Sequence, residues 1–387
     1  MTPTVVIAGA GIGGITLAIA LRRRGVPVTV LERASTLRPV GAGLALGPNA
    51  IAALEGFGVV EAIVNAGAAI TRSAILDEGG RVLGSELDVE RMTRDVGAPF
   101  VALHRTRLHE VLLDALGPGV VRLGFAVARF ERRAQRVVAI GSSGETLECD
   151  LLVGADGLHS AVRAQLVAGP APRYAGYTSW RGVTPSNSVR PPSRMTESWG
   201  RGERFGIVVI GFGEIYWFAV ADSAPGGVDR DVRSELLARF GDWHEPIAAI
   251  ISATPPERIL RTDISDRDPI ERWHEGPVVL LGDAAHPMTP NLGQGAGQAI
   301  EDAIALDRCL SLEETIEGAL RRYEACRVPR ANSMVLASRR LGAVAQWKNP
   351  AGVWLRNTGM RLIPDSVAMN QARKLMKGGV LPAADPT

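Results

Sequence analysis

The chain is poor in cysteine, poor in aromatics and almost without excess charge. Its three cysteines, Cys149, Cys309 and Cys326, show no CxxC spacing. That argues against a disulfide framework or a thiolate zinc site and fits a reducing cytoplasm. A formal net charge of +2 is too small to suggest a nucleic-acid or membrane-surface partner. The first apolar stretch, Val5 to Leu21, is interrupted by glycines and follows no basic segment, so neither a signal peptide nor a membrane span is expected. The six histidines are scattered, and His104 and His109 stand five apart in a helical stretch. No metal site is expected from them. A serine nucleophile elbow is absent too, because "GSSGE" at Gly141 lacks GxSxG spacing.

What is there is the composition of an ordinary globular protein, 46% apolar over 387 residues, long enough for two packed lobes. The opening "TVVIAGAGIGGITLAIALRRRGVPVTVLER" divides into strand, turn, helix and strand. Val5 to Ala8 is a β-branched run of the kind found in buried parallel strands. Gly9, Gly11 and Gly14 follow in GxGxxG spacing. Ile15 to Leu21 looks helical, Arg22 to Arg24 offset its dipole, and Gly25 stops it. The first glycine permits the tight turn, the second lets backbone N–H groups approach a pyrophosphate, and the third lets helix and strand pack closely. Glu32 ends the second strand, where it can accept ribose hydroxyls. An acid there disfavours a 2′-phosphate, so this loop should hold FAD or NAD rather than NADP.

A second glycine-rich turn lies nearly three hundred residues on. "GDAAHPMTPNLGQGAGQAIED", Gly282 to Asp302, follows the apolar run "GPVVLL" and leads into a long helix. Between the two turns, "HRTRLHEVLLDAL" reads as an amphipathic helix with Arg105 at its start. "CDLLVGADGLHSAVR" reads as a strand, then Asp156-Gly157, then a helix carrying Arg163.

Taken together and in this order, "GAGIGG" with Glu32, "GADG" with Arg163, and the late "GDAAHP…GQGAGQAIED" resemble the flavoprotein aromatic monooxygenases of the para-hydroxybenzoate and salicylate hydroxylase type. The resemblance spans roughly Val5 to Leu341 and includes "GAGLALGPNAIAAL" after the second strand. It implies an α/β fold: a Rossmann-like FAD-binding domain in two parts, 1–169 and 270–345, an inserted antiparallel-sheet substrate domain, 170–269, and a helical tail, 346–387, which reads as polar. It implies that both turns serve one FAD. Arg33, Gly43, Arg105, Val127 and Asp156 join Gly9, Gly11, Gly14 and Glu32 in the cofactor set, with Asp283 on the ribityl and pyrophosphate side. Gly293, Gln294, Gly295, Ala296 and Gly297 lead into a helix whose N-terminus faces the flavin N1–C2=O edge. A helix dipole and free N–H groups would stabilise the anion of reduced flavin there, and glycine lets the ring come close.

The activity implied is hydroxylation of an aromatic or heteroaromatic small molecule by a single-component enzyme. NADH or NADPH and O2 are co-substrates, and the step runs through a flavin C4a-hydroperoxide. No second GxGxxG is needed for the nicotinamide in such enzymes. Alternatives within the class are an alkene or polyene epoxidase and, further off, a flavin-dependent reductase. The halogenase signature WxWxIP is absent. Monomer and homodimer both fit. His286 reads as an orienting residue rather than a base. Arg204, ahead of the strand "FGIVVIG", and Tyr216, in the next, read on their own as a solvated arginine and a core tyrosine. Similarity to the FAD-dependent urate hydroxylases implies instead that both face the substrate and act in catalysis. Those enzymes carry an aspartate where this chain has Asn291, and a neutral amide does not tune a substrate proton as a carboxylate does.

Overall fold

The computed structural model describes residues 2–37, 41–133 and 136–378. Its first lobe is built on a six-stranded sheet. Val5–Ala8 lies between Val28–Glu32 and Leu151–Gly154, all parallel. Val121–Leu123 and Val278–Leu280 extend it in parallel at either side, and the edge strand His274–Glu275 runs antiparallel. Val5–Ala8 is buried throughout, as expected for a parallel strand covered on both faces. The helix after it spans Ile12–Arg23 and starts earlier than its apolar run suggests. Gly13 and Gly14 are already helical, with Gly11 as N-cap, because the glycines form the first turn rather than precede it. Gly25, at φ +73°, ends it. This helix packs between Arg105–Leu116 and the late helix Gly295–Leu312.

The second lobe is a seven-stranded sheet in the order Leu260–Asp266, Arg173–Pro185, Glu214–Asp222, Glu203–Val209, Met195–Trp199, Arg72–Asp77, Leu87–Asp88. Its first five strands pair antiparallel, as the sequence suggests. Arg72–Asp77 joins parallel to Met195–Trp199 from far upstream, a pairing with no local signature. Arg204 lies inside its strand and not ahead of it, paired with Val220 on one side and Trp199 on the other. The alternation of the strands gives the sheet two different faces. Phe205, Ile207, Ile215, Trp217 and Ala219 pack against the helices Val232–Phe240 and Ile247–Ala253, with Phe205 stacked on Trp217 at 5.4 Å. Arg204, Val208, Tyr216 and Phe218 belong to the opposite face, toward the first lobe.

The long helix Ile316–Ala345 closes the first lobe, and two helices, Pro350–Arg361 and Asp365–Met376, form the tail. The tail ties to the second lobe through Arg361 with Asp77 at 3.4 Å and Asp365 with Ser85, in the connection before Leu87–Asp88, at 2.6 Å. It is helical, and beside its polar residues Trp354, Leu355 and Leu362 are exposed. No helix among the described residues is long and apolar enough to cross a membrane.

Candidate active site

The opening turn is held by close packing of backbone. Gly9 sits at φ +108°, and a Cβ there would lie 2.4 Å from the Ala155 carbonyl oxygen. A Cβ on Gly14 would lie 2.2 Å from the Gly9 carbonyl oxygen, whereas one on Gly11 would meet nothing within 4 Å. Gly9 and Gly14 are thus glycine for contact, while Gly11 borders open space, as a pyrophosphate seat requires. Glu32 accepts from the Ala10 N–H at 3.0 Å and the Ala34 N–H at 2.9 Å, bracing the turn against the second strand. Arg33 beside it is exposed. Val127 is half-buried two residues after Phe125, whose N–H donates to the Glu32 carbonyl at 2.9 Å, so it flanks this strand end.

Asp156 comes from the strand on the other side. One of its oxygens caps the helix that follows, accepting from Ala161 N–H at 2.8 Å. The other is buried with no hydrogen-bond partner among the described residues. Burial raises this carboxyl's pKa, and the hydrogen bonds it accepts oppose the rise. Arg163, in the same helix, reaches the late turn and donates to the carbonyls of Ala284 at 3.1 Å and Ala285 at 2.6 Å. Burial lowers its pKa to about 10, with Arg267 adding to the effect. The "GADG" segment and "GDAAHP" are thereby one unit.

The late turn is suspended from charge. Asp302 accepts the Gly282 N–H at 3.0 Å, His286 Nε2 at 2.5 Å and Arg327 Nε at 2.7 Å. Burial alone would raise the Asp302 pKa, but His286 and Arg327 overcome it and hold it at about 2. Arg327 also binds Glu301 at 2.6 Å, which takes Arg330 at 2.9 Å and Asn49 at 2.6 Å. His286, 1% exposed, therefore orients the turn, and its Nδ1 has no partner among the described residues. Sequence reading passed over Asn49, Glu301, Asp302 and Arg327 as site residues. Their signal was the pair Glu301-Asp302 inside the apolar stretch "AIEDAIAL", because carboxylates on a buried helix face need cations.

What this network presents is an open cradle. Asp283 faces open space, although crowding protein desolvates its carboxyl and raises its pKa, with His286 and Arg105 opposing. Arg105 is exposed at its helix start, with its side chain beneath Gly41. Gly293 adopts φ +63°, and a Cβ on Gly293 or Gly295 would meet nothing within 4 Å. Ala296 is half-buried, and Gly297 sits beside Asn49. Gln294 turns inward at 2% exposed, accepting from Asn49 at 3.2 Å, so at this turn its backbone rather than its amide borders the cleft.

On the sheet face, Tyr216 lies on Gly43, where a Cβ would meet the ring at 2.3 Å. Burial raises its hydroxyl pKa, with Arg181 opposing, so it is a neutral phenol at ordinary pH. Arg204 is 2% exposed and not solvated. It donates to Gln346 at 2.8 Å, Glu197 at 3.1 Å and Asn291 at 2.9 Å. Asn291 donates in turn to Tyr177 Oη at 2.9 Å. The two residues expected to act together are four positions apart along paired strands, with Phe218 between them.

Two glycine turns with open space before them, an unpartnered buried carboxylate oxygen and two helix N-termini fit FAD. The chain matches the FAD binding domain family over residues 2–338. It belongs to that family, and it is a flavoprotein monooxygenase of the aromatic hydroxylase kind. Among named proteins, it is 49% identical over 361 residues to the aurachin C monooxygenase/isomerase of Stigmatella aurantiaca, covering 93% of this chain and 94% of that one. It is 33% identical over 382 residues to the 2-heptyl-3-hydroxy-4(1H)-quinolone synthase of Pseudomonas aeruginosa, covering 97% and 98%. Klebsiella pneumoniae HpxO, solved with FAD and uric acid, superimposes with a TM-score of 0.89 at 29% identity, covering 96% of each chain.

Proposed function

We propose that this protein is a single-component, NAD(P)H-dependent monooxygenase whose substrate is a neutral, alkyl-bearing bicyclic heteroaromatic of the 4-quinolone type, not urate. When bound, FAD supplies the redox and oxygen-activating chemistry, with NADH or NADPH as electron source. Gly9, Gly11, Gly14, Glu32 and Asp156 would hold its adenosine and pyrophosphate part. Asp283 and the Gly293–Gly297 backbone would hold its reactive part.

The observation that carries the substrate reading is the state of Arg204. Each guanidinium nitrogen already donates to a protein oxygen, and Asn291 stands against it as a neutral amide. Arg204 is thereby engaged within the protein rather than held free for an anionic substrate. Tyr216, Phe218 and Val208, with Val183 and Met195 beside them, offer an apolar wall with one phenolic donor. Such a wall suits a flat ring bearing an alkyl chain, oriented by one carbonyl. Its exclusion of water also protects the oxygen-transfer step. The name of one relative, a 2-heptyl-3-hydroxy-4(1H)-quinolone synthase, supports the same reading.

The test is anaerobic reduction of the yellow holoprotein by NADH and by NADPH, with 2-alkyl-4-quinolones, salicylate or urate present. Faster bleaching with a quinolone, followed in air by a product one oxygen heavier, is the expected result. Acceleration by urate alone would overturn the substrate reading, and no reduction by either nicotinamide would overturn the monooxygenase scheme.

A further inference from the structure

The tail helix Pro350–Arg361 packs inward through Met360 and Arg356 but leaves large apolar side chains in solvent. Its inward face carries Arg356, buried, which donates to the carbonyls of Ala345 at 2.9 Å and Gly200 at 3.1 Å and lies over the Trp199 ring. Its outward side carries Trp354 and Leu355, 67% and 59% exposed, and Leu362, about two turns on and just past the helix end, is 77% exposed. Ile363 and, in the last helix, Val367 continue the exposed apolar side chains along the chain. So many large apolar side chains left in solvent along one segment point to a binding surface, and packing of the tail does not need them. The tail is already anchored from within by Arg356, by Gln346 on Arg204 and by Met376 on Gln294.

Charge identifies the occupant. Residues 346–387 hold six Lys and Arg against two Asp, a net +4, so with +2 overall the rest of the chain carries −2. The small total conceals a basic end. All three lysines of the protein, Lys348, Lys374 and Lys377, lie there, while arginine serves everywhere else. Lys374 stands two helical turns from Val367, on the same side of its helix. Lys374 and Lys377 have no carboxylate partner among the described residues, whereas Lys348 pairs with Asp222 and Arg361 with Asp77. Exposed Trp and Leu on one tail helix, with long-stemmed unpaired lysines and an exposed Val on the next, are the chemistry of a segment that lies in the headgroup region of an anionic bilayer.

We propose that this tail docks the enzyme reversibly on anionic lipid surfaces, with Trp354, Leu355 and Leu362 entering the interface and Lys374 and Lys377 meeting the headgroups. The inference stands apart from the substrate reading, since it is tested without turnover. The holoprotein should sediment with mixed phosphatidylcholine and phosphatidylglycerol vesicles, be released by salt, and show a blue-shifted tryptophan emission. Trp354→Ser with Leu355→Ser, and separately Lys374→Glu with Lys377→Glu, should each weaken binding about tenfold or more, with flavin absorbance retained as the sign of an intact fold. Failure to sediment with anionic vesicles, equal binding to pure phosphatidylcholine, or binding unchanged in both variants would overturn the proposal. So would a concentration-dependent dimer, abolished by Leu355→Arg, in a protein that ignores vesicles, since the patch would then be covered by a second copy.

Discussion

Gly14 rests on the Gly9 carbonyl, and Gly282 hangs from Asp302. Both turns present backbone to open space, at Gly11 and at Gly293 and Gly295, but different forces seat them. The opening turn is fixed by van der Waals contact between main-chain atoms, with Glu32 as a brace. The late turn has no such backing. It crosses from a strand to a helix beside the second lobe, and a buried polar network fixes its position: Asp302 with His286 and the Arg327 guanidinium. Packing is short-ranged and indifferent to pH. A buried ionic network is neither, because each member left alone is an uncompensated charge.

Breaking the late turn is expected to have the largest effect. Arg327→Met strands Glu301 and Asp302 without their main cation, and should destabilise the protein by about 3–5 kcal/mol with loss of FAD, read by urea unfolding and flavin content. At the opening turn, Gly14→Ala forces a Cβ onto backbone that cannot yield. A loss of about 3 kcal/mol and weakened FAD retention are expected, seen by thermal unfolding and flavin titration. Acid then separates the two mechanisms. Asp302 has a folded pKa of about 2 against an ordinary 3.8. A depressed carboxylate contributes stability that is full above the unfolded pKa and is lost as pH falls through the folded one. About 2 kcal/mol should therefore disappear between pH 4 and pH 2. Urea midpoints in that window should fall for the parent, and the fall should shrink in Asp302→Asn. Glu32→Gln retains shape while weakening two hydrogen bonds, and a loss of about 1 kcal/mol is expected from the same unfolding curves. Arg33→Ala, at an exposed position, should change stability by less than about 0.5 kcal/mol; a larger loss would mean that the opening turn also depends on charge.

The contrast also explains what could be read from the chain. Gly9, Gly11, Gly14 and Glu32 lie within one strand–turn–helix–strand unit, so local spacing carries their meaning. Asp283 and Gly293 were recognisable as a motif, because a glycine-rich run between a strand and a helix is again local. Arg327 was not, since its partners are 25 and 26 residues away on another helix and nothing in "CRVPR" says which face turns inward. Arg204 was read as solvated on its own terms, yet Gln346, Glu197 and Asn291 enclose it from three separate segments. Reading the tail as polar missed its exposed apolar side chains for a related reason. Its residues were counted, but which of Arg356 and Trp354 faces solvent depends on what the helix packs against.

By itself, then, the order of residues determined the strand–glycine–helix units, the acid at the end of the second strand and FAD as the cofactor, because backbone sterics and short-range spacing act within a few residues. Tertiary structure decided the rest. It placed Arg163 on the late turn, buried Arg327 between two acids, laid Tyr216 on Gly43 and turned Trp354 outward. Those outcomes depend on desolvation and on charge pairing across long separations, which are properties of the assembled space and not of any one stretch of chain.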